Sequence, residues 1–311
     1  MAEAQSRSGF GALVVLWLMP LFFCSNLVIG RSAVPTVEPF TLAFLRWFCA
    51  FAILVPIAGT GLRQHAGLIR AQWKLLLLMA FLAMWICGGL VYVALRHTTA
   101  SNATLIYTSS PVFILLLEWA FRGRAIRMRE TIGIVLALAG ITLIVVKGSL
   151  ATLASMRFNP GDLLILGASV SWAVYSVLSR RDELKPLPNA VTFASVAGIG
   201  AVLLAPFAAA EVAATGHFPA TLAQWQSIGG LALVSSVLAF LSFQFGIRAK
   251  GPAVTGIFMY LMPPYGVLLS VVFLGETLEG YHGAGFALIL GGLVLATAPI
   301  EALRARFAAR A

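Results

Sequence analysis

Ten stretches of the sequence are apolar over roughly 20 residues each, the length that an α-helix needs to cross the hydrocarbon core of a bilayer. They cover 10–29, 39–58, 73–95, 99–121, 130–147, 161–179, 188–209, 225–247, 252–273 and 281–299. The chain is 60% hydrophobic and only 10% charged, whereas about 25% of the residues of a soluble domain are charged. The sequence therefore predicts an all-α membrane protein with ten transmembrane helices, short connections and no soluble domain.

The loops between these stretches carry their positive charges mainly on one side of the membrane. Assigning the loops alternately to the two sides places 16 Lys and Arg residues on the side of both termini and 4 on the other side. Cytoplasmic loops are enriched in Lys and Arg. Both termini are therefore expected in the cytoplasm, and the net charge of +10 reflects orientation in the membrane, not nucleic-acid binding.

The second half of the chain repeats features of the first half, mostly at an offset of 152 residues. The aligned pairs are Trp73 with Trp225, Arg96 with Arg248, Pro111 with Pro263, Gly133 with Gly285 and Gly140 with Gly292, while an offset of 150 aligns Pro56 with Pro206. Because five is an odd number, a second five-helix unit enters the membrane from the opposite face. The sequence predicts two inverted five-helix repeats, 1–147 and 161–299, joined by a loop at 148–160 and followed by a basic cytoplasmic tail at 300–311.

An inverted repeat of this kind favours a transporter. Two related units can exchange conformations about an axis in the membrane plane, so that a site between them opens to each side in turn. The alternatives are an intramembrane enzyme and an assembly scaffold. The sequence has no His-Glu-x-x-His, no Gly-x-Ser-x-Gly and no pair of mid-membrane Asp residues, and its four His residues lie in loops or at the ends of the apolar stretches. We therefore expect no enzymatic activity.

Two segments carry a resemblance to a known family. "PVFILLLEWAFRGRAIRMRETIGIVLALAGITLIV" from Pro111 and "PPYGVLLSVVFLGETLEGYHGAGFALILGGLVLAT" from Pro263 resemble the two repeats of EamA-type members of the drug/metabolite transporter superfamily. The Gly275-Glu276 pair and "SWAVYSVLSRR" from Ser171 add to the likeness, whereas Phe22-Phe23 stands where many relatives have Trp-Gly. The resemblance implies a bacterial inner-membrane exporter of small metabolites, and it points within the superfamily to the exporters of aromatic and neutral amino acids.

Polar and aromatic side chains at mid-helix depth are the candidates for substrate binding, because a polar group that faces lipid is costly and usually turns inward. A cavity of aromatic rings and neutral hydrogen-bonding groups suits a small amphipathic solute better than a phosphate or a nucleotide. The alternative for each residue is a hydrogen bond between helices or packing. The candidates are Asn26, Arg46, Trp85, Tyr92, Asn102, Tyr107, Trp172, Tyr175, Ser176, Gln244 and Tyr260.

Two charged residues lie within the predicted helices. Arg46 is about 10 Å from the start of its helix at 1.5 Å per residue, where it can bind a substrate carboxylate or pair with a helix-end carbonyl or with Glu38. Glu118 lies near the cytoplasmic end, four residues before Arg122, which favours a solvated ion pair over a proton-coupling site. With no switchable charge in the middle layers, we expect facilitated diffusion by alternating access. A proton-coupled exporter of drugs or other metabolites is the alternative.

Prolines interrupt two of the predicted helices at matched positions. Pro111 and the pair Pro263-Pro264 lie near the middle of the fourth and ninth helices. Proline removes a backbone hydrogen bond and kinks a helix. The prolines are therefore either gating hinges or static bends.

The sequence indicates neither a cofactor nor a metal. Cys24, Cys49 and Cys87 lie within apolar stretches and lack the spacing of metal ligands. The expected partners are a small-molecule substrate and the lipid bilayer, without nucleic acid, and the expected state is a monomer.

Overall fold

The computed structural model describes residues 2–33, 36–98, 100–155, 159–274 and 277–297, and within these ranges the chain is helical with no β-strand. The predicted tail at 300–311 lies outside the described residues. We number the ten long helices in chain order. They are α1 (Ala2–Ala33), α2 (Pro39–Gln64), α3 (Trp73–Ala94), α4 (Ala100–Tyr107 and Ser110–Arg122), α5 (Met128–Val145), α6 (Pro160–Leu178), α7 (Asn189–Thr215), α8 (Leu222–Lys250), α9 (Pro252–Phe258, Met259–Leu261 and Met262–Leu274) and α10 (Gly280–Thr297).

Nine of the helices in the described ranges, α2 to α10, are long and apolar enough to cross a membrane. In α1 the described apolar part, Gly11–Asn26, is shorter. The prediction of an all-α, multi-pass membrane protein is thus confirmed. Helices α2 and α7 extend to Gln64 and Thr215, past the predicted ends at 58 and 209, because each helix continues beyond its apolar stretch into more polar residues.

Helices α2 and α7 pack along each other. Residues at the start of each helix contact residues near the end of the other, at positions that correspond between the two halves of the chain. At the start of α2, the Glu211 carboxylate accepts hydrogen bonds from the backbone N–H groups of Phe40 (3.1 Å) and Thr41 (2.8 Å). These first N–H groups of a helix have no partner within it, and the positive end of the helix dipole favours an anion there. At the other end of the pair, Gly61 packs against Val191, where a Cβ would come within 2.5 Å of a Val191 methyl carbon. Thr41 corresponds to Val191 at the offset of 150 residues, and Gly61 corresponds to Glu211.

Helices α5 and α10 cross at two pairs of glycines. The two pairs correspond to each other between the two halves of the chain. A Cβ on Gly133 would lie 2.4 Å from the carbonyl oxygen of Gly292, and a Cβ on Gly140 would lie 2.6 Å from that of Gly285. At 152 residues, Gly133 corresponds to Gly285 and Gly140 to Gly292. Only glycine permits so close an approach of two helix backbones.

The irregular parts of the helices also recur between the two halves of the chain. Helix α3 contains a π-helical stretch at Phe81–Leu90 and α8 contains one at Leu233–Leu238. Helix α4 is interrupted after Tyr107, and α9 passes through a 3-10 turn at Met259–Leu261. The π-helical stretches begin 152 residues apart, and the 3-10 turn of α9 begins 151 residues after the interruption of α4.

The packing of the helices brings the two halves of the chain together around one interior. Helix α1 packs against α8 and α9, whereas α6 packs against α3 and α4. Helix α3 also contacts α7, and α8 contacts α2. The inner faces of α1, α2, α3, α6 and α8 therefore meet in the middle of the bundle, where the candidate site lies.

Candidate functional site

Arg46 lies inside the helix bundle with 4% of its surface exposed. Its Nε donates a hydrogen bond to the Ser236 hydroxyl (2.6 Å), and Nη2 donates to the carbonyl of Ser235 (2.9 Å). Nη1 donates to Asn26 Oδ1 and to the Tyr92 hydroxyl, both at 3.0 Å. The Tyr92 hydroxyl in turn donates to Asn26 Oδ1 at 3.1 Å. These five residues from α1, α2, α3 and α8 form what we call the arginine cluster.

A π-helical turn positions the two serines of this cluster. Within Leu233–Leu238, the Ser236 hydroxyl donates to the carbonyl of Leu231, five residues earlier, at 2.9 Å. The wider turn lets α8 present the Ser235 carbonyl and the Ser236 hydroxyl to α2 together. Single π-helical turns within α-helices are rare and occur frequently at functional sites.

The guanidinium of Arg46 forms its hydrogen bonds with neutral groups. No carboxylate of the described residues lies within ion-pair distance of its guanidinium. Glu38, one of the two protein partners considered from the sequence, pairs with Arg96 instead. The carbonyl partner is present, but it belongs to a mid-helix turn and not to a helix end. A guanidinium has five N–H donors, and the protein accepts four hydrogen bonds from this one.

A cluster of aromatic rings lies next to the arginine cluster. Phe240 stands at its centre and contacts five other rings at centroid distances of 5.1 to 6.1 Å. The Arg46 guanidinium carbon lies 4.6 Å from the centre of the Trp47 ring, so that Trp47 joins the two clusters. The aromatic cluster consists of Phe23, Trp47, Trp172, Tyr175, Phe193, Phe240 and Phe243.

Several polar atoms of this interior have no hydrogen-bond partner in the described structure. They are Nε1 of Trp47 and of Trp172, Oε1 of Gln244 and the hydroxyl of Tyr260. The Gln244 amide nitrogen, by contrast, donates to the Tyr175 hydroxyl at 3.2 Å. Leaving a buried donor or acceptor unpaired costs about 1–3 kcal/mol. Such atoms mark places where a ligand or a water molecule can complete the hydrogen bonds.

The arginine cluster and the aromatic cluster follow one another along α8. We call this line of side chains, from Arg46 through the aromatic cluster to Gln244, the row. Ser236, Phe240 and Gln244 are spaced four residues apart and therefore share one face of that helix. Eight residues at 1.5 Å each separate Ser236 from Gln244 by about 12 Å. The row has a cation at one end, aromatic rings in the middle and an amide at the other end. This arrangement matches an amphipathic molecule with a carboxylate and an apolar body.

Other sequence candidates lie outside this row. Trp85 contacts Phe40, Phe81 and Phe207 in a separate group of rings. The Ser176 hydroxyl donates to the carbonyl of Trp172 in its own helix at 2.7 Å.

The remaining aromatic and amide candidates also differ in their surroundings. The side chain of Tyr107 lies beside the Cys87 thiol. Tyr260 is fully buried in the 3-10 turn of α9. The side chain of Asn102 lies outside the described part of the structure.

The candidate hinge prolines follow the interruptions of their helices. Pro111 stands in the first turn of the second segment of α4. Pro263 and Pro264 stand just after the 3-10 turn of α9. Proline is well tolerated in the first turn of a helix because its missing N–H would have no partner there. The second segment of α4 thus begins just before Pro111, within the span Ala103–Arg122, and the choice between a gating hinge and a static bend stays a prediction.

Glu118 occupies a different environment near the end of α4, with 1% of its surface exposed. Its carboxylate lies 3.7 Å from Arg124 Nε and 3.7 Å from Arg180 Nη1, and it accepts a hydrogen bond from the Ala253 N–H at 3.3 Å. Arg122 donates instead to the carbonyl of Arg180 at 3.1 Å. The prediction of a solvated pair with Arg122 is wrong, because the carboxylate turns inward to the N-terminus of α9.

A cleft of about 370 Å³ lies at this end of the bundle. Its lining consists of charged side chains, one of which is the buried Glu118. The lining residues are Glu118, Arg122, Arg124, Arg180, Asp182 and Lys185. On the exposed side of the cleft, the ammonium of Lys185 lowers the pKa of the Asp182 carboxyl.

Sequence reasoning missed several residues of the row. Ser235 and Ser236 had a visible signal, since they are consecutive polar residues in the middle of an apolar stretch. Phe240 shared the four-residue spacing with Gln244. Phe23 was singled out only as part of the Phe22-Phe23 pair that replaces the Trp-Gly of many relatives, and nothing distinguished Trp47 from the many aromatic residues that pack against lipid or other helices. The described residues contain no group of three His, Cys, Asp or Glu side chains placed to bind a metal ion.

Comparison with known proteins agrees with the helical architecture. The model of the EamA-like transporter family matches residues 10–146 and, a second time, residues 159–298. A solved crystal structure superposes with a TM-score of 0.74 at 23% identity, covering 92% of this chain and 97% of the other. That match establishes a likeness of fold.

Relatives of similar length are named as transporters. The uncharacterized inner membrane transporter YedA of Escherichia coli K12 is 30% identical over 293 residues, which cover 93% of this chain and 90% of YedA. An uncharacterized transporter of Archaeoglobus fulgidus is 27% identical over 289 residues, 92% of this chain and 96% of its own. The aromatic amino acid exporter YddG of Ancylobacter novellus is 25% identical over 303 residues, covering 93% and 95% of the two chains.

Proposed function

Because the chain belongs to the EamA-like transporter family, we propose that it exports small amphipathic metabolites across a bacterial inner membrane, with aromatic and neutral amino acids as the leading candidates. Its family makes it a multi-pass membrane transporter of small molecules. One relative carries the name of an aromatic amino acid exporter and another that of an inner membrane transporter. Both names support the proposal.

The observation that carries the proposal is the buried row from Arg46 through the aromatic cluster to Gln244. Arg46 provides charge-assisted donors for a carboxylate, and such hydrogen bonds are roughly twice as strong as neutral ones. The rings of Trp172 and Phe240 provide an apolar surface for a side chain. Binding sites for small molecules are typically of this kind, mostly apolar with a few placed polar groups.

The transport mechanism that we propose is alternating access between two inverted repeats. The reciprocal contacts of α2 with α7 and of α5 with α10 support it, because a two-fold interface makes each contact twice. The double match of the family model supports the duplication. Exchange of the two conformations opens the interior to one side and then to the other.

We further propose that transport is facilitated diffusion. The described parts of α1 to α10 carry no Asp, Glu or His at mid-depth, and Glu118 lies near a helix end among arginines. Proton-coupled carriers rely on such a group deep in the bilayer, where protonation switches a costly charge. The solute then moves down its own gradient and leaves the cell when it accumulates inside.

Transport by reconstituted protein tests the proposal. Liposomes that contain the purified protein and radiolabelled L-phenylalanine should release it with saturable kinetics. The variant Trp172→Ala should release it more slowly at equal amounts of folded protein. Trp119→Ala is the matched control, because Trp119 is 56% exposed on α4 and away from the row. If no amphipathic amino acid or carboxylate shows saturable release, the proposed function is wrong.

The orientation has its own test. Single cysteines near Arg63, Arg124 and Arg181 should be protected from a membrane-impermeant reagent in intact cells. Cysteines near Gly216 and Glu279 should be labelled. The background requires replacement of Cys24, Cys49 and Cys87, which are free thiols. Labelling of the first group from outside would contradict a cytoplasmic location of both termini.

A further inference from the structure

The arginine cluster carries a net charge that the described protein does not balance. Asn26, Tyr92, Ser235 and Ser236 satisfy hydrogen bonds of the Arg46 guanidinium but bring no negative charge. A buried charge without a counter-ion is costly even when it is hydrogen-bonded. The site is therefore electrically incomplete until an anion enters it.

The unpartnered atoms of the row are mainly donors. Trp47 and Trp172 each have an indole N–H without an acceptor, and an indole nitrogen can only donate. Arg46 makes four hydrogen bonds with five N–H groups. The Gln244 carbonyl oxygen is the one acceptor among these atoms of the row in the described residues. A ligand that pairs with these donors must supply hydrogen-bond acceptors, as a carboxylate does.

An α-amino acid satisfies only part of this requirement. Its ammonium and carboxylate are attached to the same carbon, so that binding the carboxylate to Arg46 holds the ammonium close to the guanidinium. The neighbouring acceptor, Asn26 Oδ1, already accepts two hydrogen bonds, from Arg46 and from Tyr92. No carboxylate in the described part of the cluster offsets the repulsion between the two cations. A bound zwitterion leaves a net charge of +1 in the interior, whereas a bound monocarboxylate leaves none.

We infer that this site selects monocarboxylates with an aromatic or other apolar body and no ammonium group over the zwitterionic amino acids of similar shape. The inference rests on the proposed function but changes its order of candidates, because it places monocarboxylates ahead of aromatic amino acids among the amphipathic solutes. The carboxylate binds the Arg46 guanidinium, and the apolar body lies against the aromatic cluster around Phe240.

Three ligands with the same phenyl body test the inference. Binding to the purified protein is measured by calorimetry for 3-phenylpropionate, L-phenylalanine and phenethylamine, which carry net charges of −1, 0 and +1 near neutral pH. We expect 3-phenylpropionate to bind about 10-fold or more tightly than L-phenylalanine, since a matched buried charge pair is strong, and phenethylamine to bind most weakly. The variant Arg46→Gln should lose this order, and Trp119→Ala should keep it.

The outcomes separate this inference from the proposed function. If L-phenylalanine binds as tightly as 3-phenylpropionate or more tightly, the inference is wrong and the proposed function stands. If none of the three ligands binds, the inference is wrong, and the proposed function is decided by its own release assay. Should Arg46→Gln fail to fold, Arg46→Lys keeps the charge, and it should retain the order with weaker binding of 3-phenylpropionate. Loss of the order in Arg46→Lys would also contradict the inference.

Discussion

Arg46 and Glu118 are both buried, with 4% and 1% of their surfaces exposed, yet their charges are treated differently by the surrounding residues. Glu118 has two arginines within 3.7 Å and accepts a backbone hydrogen bond from Ala253. Arg46 has only neutral acceptors among the described residues. The protein balances the charge of Glu118, whereas the described residues supply no counter-ion for Arg46.

We infer from this difference that Glu118 is a structural charge and Arg46 a ligand-binding charge. Glu118 joins α4 to the end of α6 and to the start of α9, and thus ties the two halves of the chain together at the end with the arginine-rich loops. Removing one partner of a balanced buried pair leaves the other uncompensated and is destabilising. Removing an unbalanced buried charge relieves a cost, and it affects binding more than folding.

The largest effect is expected for Arg46→Gln. Transport of 3-phenylpropionate and of L-phenylalanine should fall about 100-fold or more, because loss of a buried charge pair costs roughly 2–5 kcal/mol. Initial rates of release from liposomes measure this loss. The free energy of unfolding of the ligand-free variant should stay within about 1 kcal/mol of the wild type, because the lost hydrogen bonds and the lost charge offset each other. A large drop in the free energy of unfolding together with the drop in transport would show that Arg46 stabilises the fold and does not act mainly in binding.

An intermediate effect, on stability, is expected for Glu118→Gln. The free energy of unfolding should fall by about 1–3 kcal/mol, because the partly solvated Arg180 loses its anion and Arg124 keeps only its pair with Glu130. Thermal unfolding of the purified protein measures it. Glu183→Gln is the matched control, since Glu183 pairs with Arg181 at the surface and exposed pairs contribute about 1 kcal/mol or less. Equal stability of the two variants would show that burial does not distinguish Glu118.

The same variant tests the energy source of transport. Liposomes with an imposed pH gradient and a clamped membrane potential should show equilibration without accumulation of L-phenylalanine, a proposed substrate of zero net charge, in the wild type and in Glu118→Gln. Accumulation driven by the pH gradient in the wild type and lost in Glu118→Gln would make Glu118 a proton-coupling residue. The site would then belong to a proton-coupled exporter.

Much of the fold could be predicted from the sequence because the bilayer imposes one dominant rule. Each spanning helix needs a long apolar stretch, and α2 to α10 agree with nine of the ten predicted stretches. The glycines at 133, 140, 285 and 292, which align in pairs at the offset of 152 residues, lie where α5 and α10 cross. What hydropathy does not encode is which face of a helix turns inward. Trp85 and Trp172 are both aromatic residues in the middle of predicted helices, and only Trp172 joins the row.

The candidate site was predicted only in part because its geometry depends on backbone irregularities. Arg46, Asn26 and Tyr92 are unusual enough in an apolar stretch to be recognised by residue type. Their contact with Ser235 and Ser236 depends on a π-helical turn, for which no residue pattern in α8 is diagnostic. The inward turn of Glu118 depends on where α9 begins, which is a tertiary relationship between distant segments.

The smallest effect concerns Asn26→Asp, which should convert the environment of Arg46 into one that resembles that of Glu118. Asn26 Oδ1 lies 3.0 Å from Arg46 Nη1, and an aspartate of the same shape would place an anion there and balance the guanidinium. The affinity for 3-phenylpropionate should fall about 10-fold, because the ligand carboxylate then competes with a resident one. The affinity for L-phenylalanine should change less, since its ammonium gains an anionic neighbour. The ratio of the two affinities, measured by calorimetry, is the readout, and Asn26→Leu serves as the control that removes the amide without adding charge. If Asn26→Asp and Asn26→Leu change this ratio equally, charge balance at Arg46 does not determine which ligand binds.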